Sequence, residues 1–254
     1  MKTLVTANQK GGVGKTSTLV HLAFDFFERG LRVAVIDLDT QANASYTLQD
    51  YQSGYLASQM FGLESTSLVE WFKDMPEGPL IRLIESDAPL ADMEKHTMAD
   101  AASGFRENIK ALGSCGFDVC LIDTAPSLGV SLAAALIASD YVLSPIELEA
   151  YSIQGIKKMV TTIANVRKVN PGLKFLGMVP SKVDARNPRH SRHLDELVRA
   201  YPQLMIPTGI GLRSSIADAL ASGVPVWQIK KTAARKATHE IRALAAHVFS
   251  EMEM

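Results

Sequence analysis

Only two cysteines occur in this chain of 254 residues, Cys115 and Cys120. Their spacing is too wide for a C-x-x-C pair, and Cys120 sits inside an apolar run. A buried free thiol is therefore expected, and neither a disulfide framework nor a bridged iron–sulfur centre. Long hydrophobic runs are also missing: none approaches the roughly 20 residues needed to cross a bilayer. The chain opens directly into a first strand with no basic, apolar, small-residue leader, so a cytoplasmic protein is expected. Internal repeats and low-complexity linkers are absent. His190 and His193 have no cysteine or acidic ligand pattern nearby, which argues against zinc. There is almost no net charge, −1 at pH 7, but the sign is unevenly spread. Ten Lys/Arg stand against four Asp/Glu between Lys182 and Lys236, and the rest of the chain is acidic.

What is present reads as an α/β protein. With 47% apolar and 21% charged residues, the composition is that of a chain able to bury a large core, and a single domain spanning 1–254 is the simplest account. Short β-branched runs alternate with longer helical patterns, the signature of βαβ units and a mainly parallel, doubly wound sheet flanked by helices. Candidate strands are 3–7, 32–37, 80–85, 117–122, 140–145, 173–179 and 203–206. Candidate helices lie near 15–29, 43–61, 66–73, 98–114, 128–138, 152–169, 189–200, 213–221 and 233–252. The last places Ile241, Leu244, Ala245, Val248 and Phe249 at helical spacing, so its apolar face should pack on the sheet. The stretch 49–79 is broken by Gly54, Gly62, Pro76, Gly78 and Pro79 and reads as a helical insertion.

The chain is organised around Gln9 to Thr16, Q-K-G-G-V-G-K-T, on a strand-to-helix turn. Gly11, Gly12 and Gly14 let the backbone around Val13 turn several N–H groups onto one point, at which the next helix also aims its positive dipole end. Lys15 supplies a mobile charge for β/γ-phosphate oxygens, Thr16 a hydroxyl for Mg²⁺, and Ser17 continues the cradle. The P-loop pattern G-x-x-x-x-G-K-[ST] is met except that Gln9 fills its first slot. Lys10 adds an ammonium the ordinary loop does not need, one available to another phosphate group.

Carboxylates at strand ends complete the pattern. Val33-Ala34-Val35-Ile36 ends in Asp37-Leu38-Asp39, two acids on one face of an extended chain, able to hold Mg²⁺ through water or to orient an attacking water. A further apolar strand, Phe117 to Ile122, delivers Asp123 into Thr124-Ala125-Pro126. A buried strand tolerates that charge only with a partner, and Mg²⁺ bound by Thr16 supplies one.

The string K-G-G-V-G-K-T resembles the deviant Walker A box of the ParA/MinD family of ATPases, and the resemblance runs nearly end to end. It implies ATP and Mg²⁺ as cofactors, and a sandwich homodimer in which Lys10 reaches the other subunit's phosphates. It also implies a water-positioning role for Asp39 and a magnesium-shell role for Asp37. In the A′ box Thr40 stands where proline is usual and Ala42 where glycine is usual, which bears on turn shape more than on chemistry. Asp123-Thr124-Ala125-Pro126-Ser127 matches the Walker B signature intact. Glu149 matches an acidic position at the family's dimer interface, whereas Glu147 replaces the usual glutamine; either acid can equally begin the helix at 152. The family encloses adenine between two strand ends, which nominates Pro180 and Pro207, although proline after a strand is also a plain stop signal.

The basic residues Arg186, Arg189, Arg192, Arg213, Lys230, Lys231, Arg235 and Lys236 spread over three segments that can converge on one face or remain ordinary solvated surface. The resemblance favours the first and implies nonspecific DNA as ligand, with a ParB-type centromere-binding partner stimulating hydrolysis during plasmid partition. With no N-terminal helix-turn-helix before the nucleotide box, operator reading by this chain is not expected. A MinD-like membrane-associated ATPase is the main alternative; the short acidic tail Phe249 to Met254 does not suit it. An iron–sulfur carrier would need better-placed cysteines, and a ligase a second substrate site.

Overall fold

The computed structural model describes residues 1–62, 65–127, 129–149 and 152–254. Its framework is one seven-stranded, all-parallel sheet. The strands are β1 (Lys2–Thr6), β2 (Arg32–Leu38), β3 (Gln52–Leu56), β4 (Leu80–Glu85), β5 (Val119–Thr124), β6 (Tyr141–Glu147) and β7 (Lys174–Ser181). They run in the order β3-β4-β2-β5-β1-β6-β7.

Alternation along the central strands sends neighbouring side chains to opposite faces, and both faces are covered. Leu4, Val33, Val35, Val119 and Leu121 pack on one side against α1 (Lys15–Glu28), α8 (Ser214–Ala221) and α9 (Thr232–Glu251). Val5, Ala34, Ile36, Cys120 and Ile122 pack on the other against α4 (Met98–Ser114), α5 (Val130–Ala138) and α6 (Ser152–Val166). Cys120 is fully buried and free, as its setting in the sequence suggested. Helix starts obey local rules: the Thr97 hydroxyl accepts from the Asp100 N–H to cap α4, and Asn187 with Pro188 opens α7 (Pro188–Ala200). In α9 the apolar positions Ile241, Leu244, Ala245 and Val248 are buried in the core.

Three expectations are corrected. The helix expected over 43–61 breaks into a short α2 (Asn43–Thr47), two 3₁₀ turns and the strand β3. The stretch 49–79 therefore contributes the edge of the sheet as well as helical pieces such as α3 (Thr66–Trp71). Of Gln52-Ser53-Gly54-Tyr55-Leu56 only Tyr55 is buried, so this edge strand shows none of the apolar alternation that marks the others. The strand expected at 203–206 is reduced to a single bridge, Met178 to Met205, because the run is short and Pro207 ends it. The helix expected from 128 starts at Val130; residue 128 lies outside the described residues, as do Ala150 and Tyr151.

Around β1 the order places β5 and β2 on one side and β6 and β7 on the other. That is a topological switch point, where parallel sheets bind ligands beyond the strands' carboxyl ends. The glycine turn, Asp37, Asp123, Glu147 and Lys182 all stand at or just past those ends.

Candidate active site

Beyond β1 the chain turns through Gly11 to Gly14 into α1. Gly14 takes φ +93°, and a Cβ there would lie 2.7 Å from the Ser181 Oγ at the end of β7. Both the backbone conformation and the close approach require glycine. The turn opens onto a cavity of about 580 Å³ lined by Gly11, Gly12, Gly14, Lys15, Thr16 and Ser17, with Asp39, Pro126 and Lys182 opposite. Val13 is buried, so its side chain stays out of the cavity.

Within this cradle Lys15 is nearly enclosed, 6% exposed. Burial lowers its pKa, while Asp123 and Asp39 pull the other way. The Thr16 hydroxyl donates to Asp123 Oδ2 at 2.5 Å, and the Thr6 hydroxyl to Oδ1 at 3.2 Å. Asp123 is wholly buried, and its pKa is pushed up to about 7, by desolvation first and then by Asp37, its register partner on β2. A carboxylate in that position is short of positive charge.

The donor set fits a divalent cation: a hydroxyl and a carboxylate in contact, with further acids behind. Among the described residues no three His, Cys, Asp or Glu side chains close on a metal by themselves. One hydroxyl and one carboxylate are the kind of protein ligands Mg²⁺ uses, since it keeps water and takes substrate phosphates rather than an all-protein cage. Thr16 and Asp123 would hold the ion, which would neutralise charge on phosphate oxygens.

Asp37 departs from its expected place in the magnesium shell. Like Asp123 it is fully buried and outside the cavity lining, but where Asp123 meets the Thr16 hydroxyl, the Asp37 oxygens face the loop from Asp39 to Ser45. Its Oδ1 accepts from the Asp39 N–H at 3.1 Å, and its Oδ2 from both the N–H and the hydroxyl of Ser45, each at 2.8 Å. These bonds fix the loop carrying Asp39. The Ser45 hydroxyl in turn accepts from the Ser86 N–H at 2.9 Å, and the Ser86 hydroxyl donates to the Asp39 carbonyl at 2.7 Å. Asp39 itself lines the cavity, its Oδ1 accepting from the Gln41 N–H at 3.0 Å. Ala42 supplies the turn shape that glycine would give by adopting φ +54°. Ser45 and Ser86 were not legible beforehand: neither belongs to a motif, and Ser86 arrives from the end of β4.

Lys10 does not border this cavity. Its ammonium lies in an adjoining one of about 320 Å³, held by Glu147 at 2.6 Å and Glu149 at 2.7 Å. Burial lowers its pKa less than the two carboxylates raise it. Pro180 is buried within β7 and Pro207 is exposed, and neither lines the main cavity. Its wall there is made by Lys182 together with Leu220 and Ala221 at the end of α8.

A family profile described as an AAA domain matches residues 1–175. Over its whole length the chain is 70% identical to the protein IncC of Escherichia coli, covering 71% of that protein. It is 30% identical to the chromosome partitioning protein ParA of Caulobacter vibrioides, with 89% of this chain and 86% of that one aligned. This chain belongs to the ParA family of ATPases. Among solved structures, cobyrinic acid a,c-diamide synthase from Mycobacterium smegmatis with bound ADP and magnesium superposes at a TM-score of 0.71. It is 27% identical, with 88% of this chain and 91% of that one covered.

In this ParA-family ATPase the expected basic set divides. Arg213 is only partly exposed and forked onto Glu240, Nη2 to Oε1 at 2.6 Å and Nε to Oε2 at 3.0 Å, while Gly211 N–H also donates to Glu240. Its charge is spent on joining α8 to α9. Lys231 is paired with Asp218 at 2.6 Å, and Arg186 lies 3.3 Å from Asp184. Arg189 and Arg192 are carried on α7, and Arg235 and Lys236 on the first turns of α9 just after Lys230. Among the described residues no helix is long and apolar enough to cross a membrane.

Proposed function

We propose that this ParA-family ATPase is a plasmid partition switch that binds ATP with Mg²⁺ in the 580 Å³ cavity and pairs with a second copy across it. The position of Lys10 carries the reading. An ammonium beside the glycine turn but outside its own phosphate cavity, held near the surface by Glu147 and Glu149, can exchange those carboxylates for a triphosphate presented by another chain. Lys15 and Thr16 bind the phosphates and metal, Asp39 orients the attacking water, and Asp37, Ser45 and Ser86 hold Asp39 in place.

The ATP-bound dimer binds DNA without reading sequence, through Arg189, Arg192, Lys230, Arg235 and Lys236, with Arg186 and Lys231 released from their surface ion pairs. A ParB-type partner speeds hydrolysis and resets the switch, in the cytoplasm and on the nucleoid. The identity to IncC and the name of the Caulobacter relative support a partition role over a membrane one, as does the burial of the apolar face of α9.

DNA retention measured against salt with ATP, ADP and no nucleotide tests the switch, for the parent and for Lys15→Ala. Retention should require ATP and fall steeply as salt rises. Equal retention in all three conditions removes the switch. Lys10→Ala should still bind nucleotide yet no longer dimerise with ATP by light scattering; an unchanged dimer refutes the cross-chain contact.

A further inference from the structure

Lys182 is one of three non-glycine residues with positive φ among the described residues, at +55°. L-residues rarely adopt that conformation, and where it persists it often serves a site rather than the fold. Here it lies immediately past the end of β7 and brings the side chain back over the glycine turn. The Lys182 Nζ stands 3.8 Å from the point a Cβ on Gly12 would occupy, and the residue lines the same cavity as Lys15 and Thr16. Its ion pair is to Glu147 Oε1 at 3.2 Å, while Oε2 of the same carboxylate holds Lys10. One carboxylate thus keeps two ammoniums, one on each side of the glycine turn.

We propose that Lys182 is a further phosphate-binding residue, its ammonium moving from Glu147 to the polyphosphate of a nucleoside di- or triphosphate bound by its own chain. This rests on the reading of the cavity as an ATP site. A polyphosphate presents several negative charges on fixed oxygens and outcompetes a single half-shielded carboxylate for the ammonium. Glu147 does not become an isolated charge when Lys182 leaves: its side chain reaches solvent, and until a second chain presents its own triphosphate Lys10 stays on its other oxygen. The sequence hid this residue: Lys182 reads there as the first charge of a basic segment, and only the turn after β7 separates it from the others.

The test compares the affinity for Mg·ATP and Mg·ADP of the parent, Lys182→Ala, Lys182→Arg, Lys182→Gly and Lys15→Ala, by titration calorimetry, alongside urea unfolding of each. Lys182→Ala and Lys182→Gly should bind more weakly by about tenfold, and Lys182→Arg within about threefold of the parent. A loss confined to ATP assigns the contact to the γ-phosphate and one shared by ADP to the β-phosphate; both support the proposal. Lys182→Gly also relieves the positive φ, so its unfolding midpoint should equal or exceed the parent's while its affinity falls. A purely structural lysine would not produce that split. Parent-like binding of both nucleotides by the alanine and glycine variants, with Lys15→Ala defective, overturns the proposal and leaves the ATP reading standing. A parent that binds neither nucleotide overturns the ATP reading itself, and the proposal with it.

Discussion

Acidification should cost this protein stability at one imidazole. His21 is fully buried on α1, one turn beyond Ser17. Its Nδ1 lies 2.7 Å from the Ser17 carbonyl, which can only accept, so Nδ1 carries the proton. Nε2 accepts from the Val226 N–H at 3.2 Å. A second proton would have to sit on Nε2, facing a donor. Burial accordingly lowers the pKa from 6.5 to about 4, against a smaller opposing pull from the Ser17 carbonyl. Between those two values the unfolded chain binds the proton and the folded one does not, so stability rises with pH. The contribution is complete above about pH 7 and is lost as pH falls towards the folded value. Its full size is about 3 kcal/mol, of which about 2 kcal/mol is gone by pH 5, before most carboxylates titrate. His21→Gln keeps one donor and one acceptor but cannot titrate. Urea unfolding by circular dichroism from pH 8 to pH 5 should show the parent losing about 2 kcal/mol more than the variant over that range. Parallel curves for the two proteins would refute the buried, neutral imidazole.

Replacing Ala42 by glycine should stabilise the fold by about 1 kcal/mol in the same titration, since the residue already occupies the left-handed region. Asp123→Asn removes a carboxylate whose charge is disfavoured by burial and by Asp37, so the thermal midpoint of the nucleotide-free protein should hold or rise. Magnesium-dependent phosphate release should drop by at least about a hundredfold. Arg213→Ala takes two guanidinium bonds from the partly buried Glu240, leaving it the Gly211 N–H, and should cost about 2 kcal/mol of folding stability. Lys236→Ala, in contrast, should leave stability within about 0.5 kcal/mol and lower the slope of log affinity for DNA against log salt by about 0.9.

The sequence by itself determined the features written in short spans of chain. The order of apolar runs gave a parallel doubly wound sheet, because a strand buried on both faces must be apolar at nearly every position. The lining of the main cavity was legible for the same reason: Gly11 to Thr16 and Asp39 come together through covalent spacing of a few residues past a strand end. The same logic failed for β3, an edge strand buried at Tyr55 alone, whose polar residues carry no period to read. Tertiary structure alone decided which groups meet across the carboxyl edge of the sheet. Lys10 and Glu147 are 137 residues apart in sequence, Asp39 takes a hydrogen bond from Ser86, Arg213 is claimed by Glu240, and Lys182 is carried back over Gly12. Such partnerships depend on strand order and on one backbone torsion, which local spacing does not encode.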